Sequence, residues 1–286
     1  MRPVTPRPIS SALGSRTLAT LTSAACRLLA LFAVLPPASA GEAADHRPKN
    51  AGEEAKLDRH NEVWAGADAG ENYWLAYSGS TLAPFGDIHQ DGLRIRFVGG
   101  YGHYSYKIVK ETRPTENYDA QVSFGDALIG YLWRLDPLIL KLFVGASFAD
   151  HKIAPYDRNS TINGMDWGVK GVAEFWFNIG TNAFASVDLA WAQAHNTRSA
   201  RARLGYKPFA SFSIGPEAGI NIDRQGDYKI YQEDPNYRAK AIDYGRVGLF
   251  ARYEWYGGEL SASAGLIGDF RQRQSAYGTV NWIMQY

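Results

Sequence analysis

Met165-Asp166-Trp167-Gly168-Val169-Lys170-Gly171-Val172-Ala173-Glu174-Phe175-Trp176-Phe177 is the stretch that decides the fold. Met165, Trp167, Val169, Gly171, Ala173, Phe175 and Phe177 fall on one side of an extended chain. Asp166, Gly168, Lys170, Val172, Glu174 and Trp176 fall on the other. That is a period of two, which a strand turns into one apolar and one polar face and a helix would scatter. The pattern recurs along the chain. Leu138, Leu140, Leu142, Val144, Ala146 and Phe148 alternate with Lys141, Gly145 and Ser147. Phe212 to Ile222 and Val247 to Trp255 behave in the same way.

Such alternation suits a soluble sandwich, whose apolar faces point inward, or a membrane barrel, whose apolar faces point at lipid. The segments run about 10–13 residues, the length a tilted membrane strand needs and about twice that of a soluble strand. The chain ends Thr279-Val280-Asn281-Trp282-Ile283-Met284-Gln285-Tyr286, with Tyr286, Met284, Trp282 and Val280 on one face. An alternating last strand that stops on an aromatic is the form of an outer-membrane assembly signal, here Trp282 and Tyr286. The reading is all-β: a transmembrane antiparallel up-and-down β-barrel of about twelve strands, over residues 62–286.

Strands are expected near 62–70, 72–82, 92–106, 118–134, 138–149, 164–178, 183–193, 197–206, 210–222, 240–255, 259–268 and 277–286. Asp136-Pro137, Ile179-Gly180-Thr181, Lys207-Pro208 and Tyr256-Gly257-Gly258 read as tight turns. The joins near 107–117, 150–163 and 223–239 read as long loops. Short and long joins then alternate as periplasmic turns and external loops do.

Upstream, residues 1–40 hold Arg2, Arg7, Arg16 and Arg27 and no acid. The apolar stretch Leu28 to Leu35 comes next, then Pro36-Pro37 and Ala38-Ser39-Ala40. Basic, apolar and small-residue segments in that order predict a cleaved signal peptide; the apolar part is far short of the roughly 20 residues of a spanning helix. Residues 41–61 read as a flexible polar arm. The expected location is the bacterial outer membrane, with lipid and the barrel-assembly machinery as partners.

Composition excludes other classes. The 286 residues are 13% aromatic, which rules out disorder for most of the chain, and a lone Cys26 rules out a disulfide framework. A formal charge of +1 gives no case for nucleic acid. His46, His60, His89, His103, His151 and His195 are scattered, with no metal-ligand spacing. No nucleophile elbow, phosphate loop or dinucleotide fingerprint occurs. Asp150-His151 reads as a loop contact before an acid–base pair, and Asp157 with Asn159 lacks the rest of a calcium loop. The sequence therefore predicts no enzyme, cofactor or metal.

Strand parity sends Arg94, Arg96, Lys170, Glu174, Arg201, Arg203, Arg246, Arg252 and Glu254 inward. At the bore of about twelve strands, opposed charges are expected to pair across the lumen and narrow it. Trp74, Tyr104, Tyr106 and Trp176 are expected to face inward too, where aromatics either stack on sugar rings or fill space. Tyr73, Tyr77, Trp167, Trp191, Tyr206, Tyr253, Trp255, Trp282 and Tyr286 are expected outside, as interfacial girdles.

Local motifs, taken in order, carry a family resemblance. They are Val63-Trp64-Ala65-Gly66, then Gly99-Gly100-Tyr101-Gly102 with Tyr104 and Tyr106, then Gly130-Tyr131-Leu132-Trp133. Asp150-His151, Pro155, Asp157, Gly164 and Glu174 follow, and then Gly215-Pro216-Glu217, Tyr244-Gly245-Arg246-Val247-Gly248 and Tyr277-Gly278. Together they resemble the cellulose biosynthesis protein BcsS family, across residues 62–286. The loop at 223–239, with Asp234-Pro235, departs from the pattern. The resemblance implies a barrel accessory to cellulose production, with cellulose or other synthesis components as partners. It carries over no catalytic residue. A general small-solute pore is the alternative function.

Overall fold

A computed structural model describes residues 59–110, 113–157, 160, 162–223, 242–269 and 273–286. The proposed signal peptide, most of the arm and all of the 223–239 loop but Asp223 lie outside the described residues. Twelve strands are present: β1 (Asn61–Gly70), β2 (Tyr73–Leu82), β3 (Gly92–Lys110), β4 (Arg113–Leu135), β5 (Leu138–Ala154), β6 (Gly164–Ile179), β7 (Ala183–Ala192), β8 (Thr197–Phe209), β9 (Phe212–Asp223), β10 (Ile242–Trp255), β11 (Gly258–Asp269) and β12 (Arg273–Gln285). Each pairs antiparallel with its sequence neighbours, and β1 pairs with β12 from Glu62↔Gln285 to Gly70↔Tyr277. The sheet is therefore a closed barrel, which leaves no unpaired edge around its circumference. Backbone bonds finish the seam: Tyr286 N–H donates to Asn61 O at 2.9 Å, and Asn61 N–H donates to Tyr286 O at 2.9 Å.

The outer face is apolar, with Phe97, Ile129, Leu142, Val144, Val169, Leu204, Leu249 and Val280 all exposed. Around most of the barrel the charged side chains are the buried ones, Asp68, Arg96, Lys170, Glu217 and Arg252 among them. A soluble fold would have it the other way round, so this is the arrangement of a membrane barrel.

Three connections differ from expectation. Residues 107–117 form no long loop: β3 and β4 continue as a paired hairpin to Lys110↔Arg113. β5 likewise runs on to Ala154, which shortens the expected 150–163 loop. The turn assigned to Lys207-Pro208 falls later, between Phe209 and Phe212, and Pro208, which cannot donate to the ladder, sits where the β8–β9 register shifts. The alternation of join lengths also fails at β1–β3. Glu71 and Asn72 join β1 to β2 tightly at the far end, and residues 83–91 form a longer connection at the end carrying the chain termini.

That longer connection is folded, not slack. The Asp87 carboxylate accepts the backbone N–H of Arg59 at 3.0 Å and of His89 at 2.7 Å. Burial pushes this carboxyl up, but those two backbone donors, with the nearby charges of His89 and Arg59, outweigh it and hold it below the usual range.

The strands are of two heights. β1, β2 and β7 have 10 residues, close to the minimum for a crossing, while β3, β4 and β5 have 19, 23 and 17. Pairing of β3 with β2 ends at Tyr73↔Tyr104, and pairing of β6 with β7 ends at Lys170↔Ala192. β3 to β6 therefore rise above the rest as a wall at the end opposite the termini. On β4 and β5 the polarity of this wall reverses, while β6 keeps Met165, Trp167 and Val169 on its outer face. Asp119, Gln121 and Lys152 point out, while Tyr104, Tyr106, Tyr118, Ala120, Val122 and Ile153 are buried within. Asp119, Gln121 and Lys152 on that outer face suit water rather than lipid.

Candidate functional site

The barrel interior is the place to look for function, and it is full. Arg96 donates through Nη1 and Nη2 to the two oxygens of Glu174, donates from Nε to Thr81 at 3.2 Å, and lies 3.8 Å over the Phe143 ring. Lys141 approaches the same Glu174 at 3.9 Å. Lys170 pairs with Asp126, whose other oxygen accepts the Ser147 hydroxyl at 2.7 Å.

A second cluster faces these from β8, β9, β10, β12 and β1. Glu217 accepts from Arg201 at 2.7 Å, Arg203 at 3.0 Å and the Tyr277 hydroxyl at 2.7 Å. Arg246 donates to Asp68 at 2.7 Å and lies 4.6 Å over Tyr277. Between Arg201 and Arg246 a cavity of about 20 Å³, bordered by Asp68, Tyr77, Ser199 and Asn221, has room for about one water.

Aromatics close the gap between the clusters. Trp176 stacks on Phe184 at 4.0 Å, and the Arg252 guanidinium lies over both rings at 4.7 and 4.5 Å. Arg252 also meets Glu254 at 2.9 Å and Glu259 at 3.4 Å, and Lys207 reaches Glu254 at 3.6 Å. These rings need bare backbone opposite them. A Cβ on Gly205 would stand 2.2 Å from the Phe184 ring, and one on Gly79 would stand 2.2 Å from Trp64.

Burial decides what this interior does. In a water-filled channel the lining charges would be wet, yet Lys170 is 0% exposed, Arg96 and Glu217 1%, and Arg252 2%. Eight of the nine charged residues expected inward thus sit in ion pairs across or along the bore. Arg94 is the ninth, and its role is different. It is buried, and its guanidinium donates to the carbonyls of Asp87, Ile88 and Gln90, fastening the 83–91 connection at the rim.

Trp74 corrects the expectation. It is 46% exposed on the outer face, against Tyr101 at a centroid distance of 5.8 Å. Tyr73 and Tyr77, expected outside, point in: Tyr73 donates to Asp68 at 3.0 Å and Tyr77 donates to Asn281. On β2 the outer face carries Ala76, Ser78 and Ser80 beside Trp74 and the inner face carries Leu75, so apolarity alone misassigns it. Tyr104 and Tyr106 are inward but belong to the raised wall. Tyr106 stacks on Tyr118 at 4.8 Å and donates to Asp157 at 3.0 Å, which ties Asp157 to β3. Trp167, Trp191, Tyr206, Tyr253, Trp282 and Tyr286 lie outside.

Asp68, Asp126, Asp188, Glu62 and Glu259 escaped the sequence reading, although all are buried on inner faces. Parity beside Ala67 or Ala127 on the outer face would have exposed Asp68 and Asp126. Among the described residues no group of three or more histidine, cysteine or acidic side chains could hold a metal.

The family model for cellulose biosynthesis protein BcsS matches residues 63–286. The chain belongs to the BcsS family. The match begins inside β1 and ends at the last residue, so the family unit is the whole barrel. No curated protein matches. Among solved structures, the chain is similar to the KdgM porin, at 8% identity, with 79% of this chain and 99% of that one covered and a TM-score of 0.43. It is also similar to the translocator domain of the autotransporter NalP from Neisseria meningitidis, at 13% identity, 79% and 88% coverage and a TM-score of 0.44. The transport unit of the autotransporter AIDA-I from Escherichia coli gives 10% identity, 82% and 91% coverage and a TM-score of 0.46.

Proposed function

We propose that this BcsS-family protein is a non-enzymatic outer-membrane barrel that anchors or organises cellulose at the cell surface without conducting it. Family membership supports the link to cellulose. The observation that carries the rest is the dry interior: a bore lined by paired, buried charges offers a glucan neither a path nor a row of open aromatic faces. The same observation disfavours a general solute pore. Export by a signal peptide and insertion by the barrel-assembly machinery through Trp282 and Tyr286 belong to this reading. The raised wall is the part of the barrel that faces the outside.

A deletion strain tests the proposal. Total cellulose should change little while the cell-retained fraction falls and the shed fraction rises, and the wild-type chain should restore retention. Unchanged retention after deletion would contradict it.

A further inference from the structure

We infer that the outer face of the barrel, where the short β1–β2 hairpin meets the raised wall, is a docking surface for a neutral polysaccharide chain. Trp74 and Tyr101 are its ring platform, and the polar side chains that continue their rows across β3, β4 and β5 are its hydrogen-bonding edge. The inference rests on the anchoring role proposed above and says where on the barrel the glucan is held. The inner side of the sheet is packed with ion pairs and rings, which leaves the outer side to do it.

Trp74 is the first outward side chain of β2 and is 46% exposed; Tyr101, beside it on β3, is 45% exposed. Their ring centroids are 5.8 Å apart with 59° between the planes. The Ser105 N–H donates to Asn72 O at 2.9 Å, which ties the β1–β2 turn to β3 and fixes Trp74 against the wall.

Register extends both rings into polar rows. Trp74 pairs with His103, His103 with Gln121, and Gln121 with Lys152, so one row crosses four strands. The next row runs Ala76, Tyr101, Ser123, Asp150. With neighbouring strands about 4.8 Å apart, each row is about 14 Å long, longer than a single sugar ring. One step lower, Gly99 stands opposite Gly125, and a Cβ on Gly99 would meet nothing nearer than 3.8 Å, so the backbone below Tyr101 is bare. Beyond it Phe148 and Trp167 form a second ring pair at 4.9 Å.

The chemistry of the rows selects the occupant. His103 lies 3.7 Å from Asp119, and Lys152 lies 3.8 Å from Asp150. Among the described residues of these rows each basic side chain therefore has an acid beside it. A lipid headgroup or another anionic polymer calls for surplus cations, which these pairs do not offer. A glucan carries no charge. Its pyranose rings present apolar C–H faces that lie on aromatic rings, and its hydroxyls both donate and accept, as carboxylate, amide and imidazole partners require. Trp and Tyr at this height also serve as a membrane belt, but a belt makes no use of the polar rows.

Co-sedimentation with insoluble cellulose tests the surface, with the full-length barrel in phosphatidylcholine nanodiscs and soluble cello-oligosaccharides as competitor. The wild type should be retained and then released by the competitor. Trp74→Ala combined with Tyr101→Ala should weaken retention about tenfold, as loss of anchoring rings does. Gln121→Ala should weaken it about threefold, the effect of one hydrogen-bonding group. Tyr253→Ala, an outer ring at the end carrying the termini, should leave it unchanged. The heat-modifiable folded band checks assembly of each variant. If the ring variant does not assemble, Gln121→Ala and Lys152→Ala decide, since both side chains are exposed. Wild-type retention in the ring and polar variants alike overturns this surface and leaves anchoring in place; a wild type that does not bind cellulose overturns both. Loss in the ring variant alone makes the rings a membrane belt and overturns the polysaccharide site. Capture of lipopolysaccharide in preference to cellulose, lost in the same variants, assigns the face to a lipid headgroup and overturns it too.

Discussion

β4 contains both halves of the molecule in one strand. In its lower part Ala127, Ile129 and Tyr131 face out and Asp126 faces in; in its upper part Asp119 and Gln121 face out and Tyr118, Ala120 and Val122 face in. The period is two throughout, but the sign changes. What sets the sign is the solvent outside the barrel. Lipid requires apolar side chains there and drives charge to the interior, where it survives only by pairing. Water around the raised wall permits polar side chains outside and an ordinary aromatic core within.

The largest effect is expected in the lower interior. Glu217→Ala removes the acceptor shared by Arg201, Arg203 and Tyr277 and strands two buried cations. A loss of about 3–5 kcal/mol is expected, read as a lower unfolding midpoint in urea. An unchanged midpoint would mean that water already reaches the pair.

Arginine substitutions on the outer face sharpen the contrast between the two parts. Leu142→Arg, in the lipid band, is expected to cost about 2–4 kcal/mol, since charge at mid-membrane depth is costly. Gln121→Arg, on the outer face of the wall, is expected to stay within about 0.5 kcal/mol. Equal costs would mean that the wall lies in lipid.

A smaller effect belongs to the rim at the termini. Asp87 has its carboxyl lowered in the folded protein, so its contribution is present above the ordinary carboxylate range. That contribution is lost as pH falls through the lowered value. Exchange protection of residues 83–91 should fall in acid in the wild type, and Asp87→Asn should remove that dependence.

The smallest change in stability is expected at the end of the chain. Tyr286 closes the barrel through its backbone, while its ring is 61% exposed. Tyr286→Ala should therefore keep its unfolding midpoint and lose yield of the heat-modifiable folded band in cells. Wild-type yield would remove the ring from assembly.

Alternation made most faces legible from sequence, and twelve segments of membrane length made the barrel legible. What sequence could not supply was register across the bore. Arg96 meets Glu174, 78 positions away, and Arg246 meets Asp68, 178 positions away. Parity says that such residues face inward but not which of them stand level. β2 failed for a different reason: apart from Trp74 the middle of its outer face is Ala76, Ser78 and Ser80, while Tyr73, Leu75 and Tyr77 lie inside, so the more apolar side is not the outer one. The raised wall stayed hidden because 107–117 is polar enough to pass for a loop, although water outside lets a polar strand persist.

The central claim is that the interior is filled and passes nothing. Conductance of the purified barrel in planar bilayers, at neutral pH and with or without soluble cello-oligosaccharides, tests it most directly. The account predicts almost no current under either condition. A large, steady conductance that ignores the sugar would contradict it and make the protein a general pore.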